Sequence, residues 1–250
     1  MKKIFLLITL FATLFLAGCF ETTQEINLNE DGSGTLSTTN DMSAIIGLVK
    51  QMGSKETDKI GDQAIDTTIA LSSQVDSIEN ITPEEKNLLK KGTMHVNMNL
   101  KDEKFSTNIR FPFTSPSEIK KYNQLTDKVM GEALKDKLGD SPVPGMEEMP
   151  SPTSIEDYFT MSFSKGLLIK KLDKEKYAGA ANDKFLNGMK ESAGMGMPMT
   201  TTYIINLPRA AKKAEGKNVK LSADKKKVTI ETDIDDFFDD AAKFEFRIEY

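Results

Sequence analysis

The chain has 250 residues, 38% of them hydrophobic, a formal net charge of −5, one His, one Cys and no Trp. That length and apolar content can bury a real core as one large or two small domains, and the acidic balance argues against a nucleic-acid partner, which needs a basic face. One cysteine excludes an internal disulfide.

Lys2 and Lys3 open the chain, and Ile4–Leu16 is apolar apart from Thr9 and Thr13. A charged start, an apolar stretch of roughly 7–15 residues and small residues at a cut site are the pattern of a secretory signal. The stretch is too short to span a bilayer, which takes about 20 apolar residues. Its ending, Leu16-Ala17-Gly18-Cys19, resembles the lipobox of bacterial lipoproteins. The resemblance implies a diacylglycerol on the Cys19 sulfur, cleavage before Cys19 and an acyl chain on the new amino terminus, with no other cofactor. The competing reading is an ordinary signal with an accidental or reactive cysteine. Lipidation explains why an exported chain carries one thiol that has no partner and would otherwise be a liability. Several acyl chains anchor stably, since each buried methylene contributes about 0.8 kcal/mol. Phe20, not Asp, follows the cysteine, and the resemblance then implies an outer rather than an inner membrane in a cell that has both. The expected organisation is a signal peptide over 1–18 and an envelope domain over 19–250, with flexible insertions near 139–154 and 193–199. Removing 1–18 takes out Lys2 and Lys3 and moves the charge from −5 to −7.

Gln24–Asn40 reads as a hairpin: Ile26 and Leu28 alternate, "EDGSG" supplies the turn, and "TLSTT" returns. Asn40 or Asp41 can cap a helix with Met42, Ile45, Ile46, Val49 and Met52 on one face. Residues 53–67 are polar without a period. Thr82-Pro83-Glu84-Glu85 predicts a helix start with a capping box, and Gly92 its stop. Met94, Val96, Met98 and Leu100 share a strand face, as do Phe105, Thr107, Ile109, Phe111 and Phe113 after the "DEK" turn. Ser115-Pro116-Ser117-Glu118 repeats the capping-box pattern before a stripe of Ile119, Tyr122, Leu125, Val129, Ala133 and Leu138. Residues 139–154 read as a Pro/Gly-rich loop. Tyr158–Ser164 and Leu167–Leu172 predict a strand pair. Asp173–Lys190 predicts one helix, with Tyr177, Ala181, Phe185 and Met189 spaced by four. Tyr203/Ile205/Leu207, Val219/Leu221, Val228/Ile230 and Phe244/Phe246/Ile248/Tyr250 alternate as strands, with a helical turn at "IDDFFDD". Runs of strands with intervening helices and hairpin connections point to an α+β fold, a mostly antiparallel curved sheet with several packed helices.

The segments "INLNEDGSGTLSTTNDMS" and "YIINLPRAAKKAEGKNVKLSADKKKVTIET" resemble the LppM-like lipoprotein domain and related bacterial lipoproteins. That resemblance implies a curved sheet against helices and a lipid-binding role, and it carries over no catalytic residues. Residues 60–200 depart from a compact domain of that kind.

No catalytic set emerges. His95 lies between Met94 and Val96 and is expected to face solvent. No Gly-x-Ser-x-Gly elbow supports a triad through it, and Ser117-x-x-Lys120 and Ser162-x-x-Lys165 lack a Lys-Thr-Gly partner. Asn27-x-Asn29-x-Asp31-Gly32 matches half of an EF-hand loop, but the twelfth position is Thr38 and the flanks read as strands, so a turn is expected. "DIDDFFDD" reads as a capped, solvated turn, and the basic runs 212–217 and 223–227 are candidate patches for anionic lipid head groups, with two solvated hairpin turns as the competing reading. Met195, Met197 and Met199, with Met146 and Met149, are candidate soft-metal ligands suited to Cu(I), although Met94 and Met98 show methionine also used as a core residue.

The expectation is therefore a non-catalytic, lipid-anchored envelope protein whose partners are the membrane and a lipid or an envelope protein. A hydrophobic ligand would lie against Phe105, Ile109, Phe111, Phe159, Phe163, Phe244 and Phe246; the competing reading of these residues is closed core. A scaffolding lipoprotein and a copper-binding one are the alternatives.

Overall fold

A computed structural model describes residues 20–44, 64–76, 78, 81–138, 153–164, 166–195 and 197–250. The elements in chain order are β1 (Phe20–Leu28), β2 (Gly34–Asp41), β3 (Ala64–Ala70), α1 (Pro83–Leu89), β4 (Thr93–Asn99), β5 (Lys104–Phe113), α2 (Ile119–Leu138), β6 (Phe159–Ser164), β7 (Leu167–Leu172), α3 (Lys174–Tyr177), α4 (Lys184–Gly194), β8 (Met199–Asn206), β9 (Lys213–Glu215), β10 (Val219–Leu221), β11 (Lys227–Asp233), α5 (Ile234–Asp240) and β12 (Phe246–Glu249). The fold is α+β with two sheets. One has eight strands in the order β10-β11-β8-β1-β2-β5-β4-β3, the other four in the order β6-β7-β12-β9. Every pairing is antiparallel except that of β1 with β8.

The β1–β2 hairpin forms because Asp31 and Gly32 have the chemistry the turn demands. Asp31 Oδ1 accepts from the Ser33 amide at 2.9 Å and the Ser33 hydroxyl at 2.7 Å. Gly32 takes φ +86°, and a Cβ there would lie 2.8 Å from Phe163 Cε1, so the turn closes against β6. Both hairpin strands place Ile26, Leu28 and Leu36 in the core. Asp41 Oδ1 accepts from the Ser43 amide at 2.9 Å and Met42 is buried, but Ile45, Ile46, Val49 and Met52 lie outside the described residues.

The capping box of α1 is complete: Thr82 accepts from the Glu85 amide and Glu85 accepts from the Thr82 amide. The second box is displaced by one residue. Glu118 reaches the amide and hydroxyl of Thr114, not the Ser115 amide, at 3.1 and 2.9 Å. A 3-10 turn over Pro116–Glu118 then leads into α2, whose Ile119, Tyr122, Leu125 and Val129 are buried. Tyr122 stacks on Phe111 of β5 with ring centroids 4.5 Å apart.

Four local expectations change. Of residues 53–67, read as polar and aperiodic, 64–67 open β3 beside β4, and six of its seven residues are exposed. At this edge only Ile69 packs against the core, so the core-side set Ile65, Thr67 and Ile69 is too short a pattern to read. The helix expected over 173–190 is broken. Gly179 and Ala180–Asn182 form a turn, and Asp183 caps α4 by accepting from the Leu186 amide at 3.1 Å. Phe244 belongs to a 3-10 turn before β12. Residues 213–215 form β9, an edge of the small sheet beside β12, whereas 223–227 do turn the chain between β10 and β11.

Candidate functional site

The most unusual chemistry lies between the two sheets. Strand β7 alternates Leu168, Lys170 and Leu172 toward the core, so its pleat carries a lysine inward. Lys170 is 1% exposed. Its Nζ donates to Glu156 Oε1 at 2.5 Å, and the same oxygen accepts the hydroxyl of Tyr203 from β8. Three rings surround the ammonium: Tyr203 at 4.1 Å, Phe159 at 4.8 Å and Phe244 at 5.8 Å from Nζ to ring centroid. Aromatic faces attract a cation, and more strongly when water is excluded. Burial pulls the Lys170 ammonium below its ordinary value while Glu156 pulls the other way. Burial and then the Glu156 carboxylate push the Tyr203 hydroxyl well up, so it remains a donor. The arrangement ties Glu156 and β7 of one sheet to β8 of the other.

The seven apolar residues expected to line a ligand face are divided between the sheets. Phe105, Ile109 and Phe111 lie on β5 of the large sheet; Phe159 and Phe163 lie on β6 and Phe246 on β12 of the small one. Ile109, Phe111, Phe159, Phe244 and Phe246 are each 3% exposed or less, whereas Phe105 and Phe163 are half-buried. Phe159 and Phe244 stack at 5.5 Å, and both meet Phe237 of α5 edge-on. The structure therefore brings Phe159 and Phe244 together beside Lys170, with their rings packed on protein.

Met195 is exposed at the end of α4, Met197 is half-buried, and Met199 opens β8 and packs against the core. Met146, Met149 and Cys19 lie outside the described residues. Among the described residues no cluster of three or more His, Cys, Asp or Glu side chains is arranged to hold a metal ion. The EF-hand-like residues form the β1–β2 turn, where Asp31 is engaged by Ser33. In "DIDDFFDD", Asp233 and Asp236 cap α5, Asp240 pairs with Lys217 at 2.7 Å and Asp236 also pairs with Lys243. His95 Nδ1 is 3.0 Å from the Thr68 hydroxyl and Nε2 is 3.4 Å from Asp66 Oδ1, on the outer side of β3 and β4.

A groove of about 410 Å³ is formed by β10, the end of β11 and the start of β8 in the large sheet. Its wall includes Thr200, Lys217, Asn218, Lys220, Glu231 and Asp233. Thr200 is the direct partner of Glu21 in the parallel β1–β8 pair. Lys220 pairs with Glu231 across the groove at 3.0 Å. Sequence reasoning missed the Lys170 cage, because it is assembled from residues 156 to 244, far apart in the chain, and read the residues of the groove only as a basic run and strands. The one sequence signal for the cage is a lysine at an inward position of an alternating strand.

The architecture defines an α+β protein of two mainly antiparallel sheets around one core. No protein-family model matches the chain, and no curated protein matches it. Among solved structures, the folded domain of Mycobacterium tuberculosis LppM is similar at a TM-score of 0.39 and 8% identity, over 94% of this chain and 92% of that one.

Proposed function

We propose that this chain is a lipid-anchored, non-catalytic protein of a bacterial envelope that holds a protein partner at the membrane surface. The observation that carries the proposal is the Leu16-Ala17-Gly18-Cys19 sequence followed at once by β1. Phe20, the first residue after the cysteine, already donates its amide to Pro198 O at 3.0 Å. A lipid on Cys19 would then be joined to the central part of the large sheet without a linker, and the domain would rest against the bilayer. Phe20 in place of Asp favours the outer membrane of a diderm cell. The scaffold reading gains support from the core, where Ile109, Phe111, Phe159, Phe244 and Phe246 pack on one another and on their neighbours.

The test is fractionation of cells producing the wild-type chain and Cys19→Ser. The wild type is expected in the membrane fraction and Cys19→Ser in the soluble one; a Cys19→Ser protein that stays with membranes overturns the anchor. In-cell crosslinking of the wild type then identifies the partner.

The groove formed by β10, β11 and the start of β8 favours a second reading, a polar lipid headgroup as ligand. Lys217, Lys220, Asn218 and Thr200 line it at the strand end where Thr200 pairs with Glu21, and a headgroup would compete with Asp240 and Glu231 for the two lysines. Native mass spectrometry of Cys19→Ser after incubation with a membrane lipid extract distinguishes the two: a stoichiometric lipid mass supports the headgroup reading, and a bare chain supports the scaffold.

A further inference from the structure

Sheet edges present unpaired amides and carbonyls, and proteins commonly blunt them with short strands, charges or covering segments. Three of the four edges here are managed in that way. β10 has three residues with Lys220 at its centre, and β9 has three with Lys213 and Glu215. β6 is packed against the 3-10 turn at Pro116–Glu118. The fourth edge, β3, runs for seven residues, has no proline or lysine, and is exposed except at Ile69. Its one charge, Asp66, is engaged by His95 of its own chain at 3.4 Å. Ile65 stands on the core-side face of this edge and is 38% exposed.

The sequence of that strand is nearly the same in both directions: Ala64-Ile65-Asp66-Thr67-Thr68-Ile69-Ala70. We propose that β3 is a dimer interface, pairing antiparallel with β3 of a second copy about a two-fold axis at Thr67. In that register Ala64 meets Ala70, Ile65 meets Ile69, Asp66 meets Thr68 and Thr67 meets its own copy. Like residues face like in an isologous contact. The β-branched and Thr–Thr pairs are those favoured across antiparallel strands, and no like charges stand directly opposite. Ile65 of each copy is covered by Ile69 of the other, and the two eight-stranded sheets become one.

A two-fold axis normal to the sheet sends the two β1 starts to opposite ends of the joined sheet. Both anchors can then reach one bilayer only with the sheet lying along it; this orientation rests on the lipoprotein reading, whereas the dimer does not. One seven-residue edge is a small interface, so the association should depend on concentration.

The test uses the full chain carrying Cys19→Ser, which removes its only native thiol. Light scattering across a concentration series should rise to twice the chain mass, and Ile65→Lys should hold the chain at the single mass with an unchanged circular dichroism spectrum. Thr67→Cys should give a disulfide-linked dimer under mild oxidation, and Leu221→Cys on the opposite edge should not. A single-chain mass at every concentration overturns the proposal. So does a dimer that survives Ile65→Lys and fails to crosslink through Thr67→Cys.

Discussion

Lys170 Nζ and Glu156 Oε1 lie 2.5 Å apart inside the core, and Tyr203 donates to the same carboxylate oxygen. Removing one member of a buried ion pair leaves an uncompensated charge, which typically costs about 3–5 kcal/mol, whereas replacing both with apolar groups of similar volume is often neutral. Glu156→Leu alone should therefore destabilise the fold by about that amount in urea unfolding. Adding Lys170→Met should recover most of it. A double variant no more stable than Glu156→Leu would mean that the pair does not act as a unit.

The tyrosines predict a second behaviour. All five belong to groups raised above 10, in each case chiefly by burial: Tyr122 and Tyr158 to about 12, and Tyr177, Tyr203 and Tyr250 upward. Unfolded tyrosines release protons near 10. From pH 10 upward the folded state thus holds protons that the unfolded state has lost, so stability falls as pH rises. Lys170 has the opposite sign: burial lowers it from 10.5, so its penalty is present at neutral pH and lifts as pH rises. Five tyrosines against one lysine predict a net loss. Absorbance at 295 nm should show less tyrosinate at pH 10 in the native chain than in the chain unfolded in urea, and stability in urea should fall as pH rises above 10. A normal titration in the folded protein would contradict this.

Gly34 opens β2 where space is already occupied. A Cβ there would lie 2.0 Å from the Asn27 carbonyl oxygen and 2.6 Å from Phe113 Cζ. Overpacking costs typically about 1–3 kcal/mol, and the contact with backbone places Gly34→Ala at the upper end. A shift in the urea midpoint at constant slope is the expected readout.

At Thr82 the cap accepts from the Glu85 amide at 3.2 Å, and Glu85 returns the bond to the Thr82 amide at 2.7 Å. Thr82→Ala should cost about 1 kcal/mol. Thr82→Ser retains the hydroxyl and should cost less.

What could be read beforehand followed from local chemistry. The turn at Asp31-Gly32, the box at Thr82 and the alternation from Phe105 to Phe113 each act within a few residues, and each has its expected form. The losses came from tertiary context. β3 shows little apolar alternation because it is an edge on which only Ile69 packs against the core. Gly179 and Asp183 interrupt a four-residue repeat that otherwise fits one helix. The parallel pairing of β1 with β8 joins residues such as Glu25 and Ile204, and no local signal specifies it. Lys170 is buried only because β6, β8 and the Phe244 turn close over it, and its own strand does not specify them. The apolar residues at Phe105–Phe113 and Phe159–Phe163 were correctly assigned to strands, while their division between two sheets was not foreseen.

A lipid on Cys19 is detectable by mass spectrometry of the N-terminal peptide from protein extracted from membranes. The expected product is a chain that begins at Cys19 and carries a diacylglycerol on sulfur. A chain that begins elsewhere, or a Cys19 with a free thiol, would contradict it.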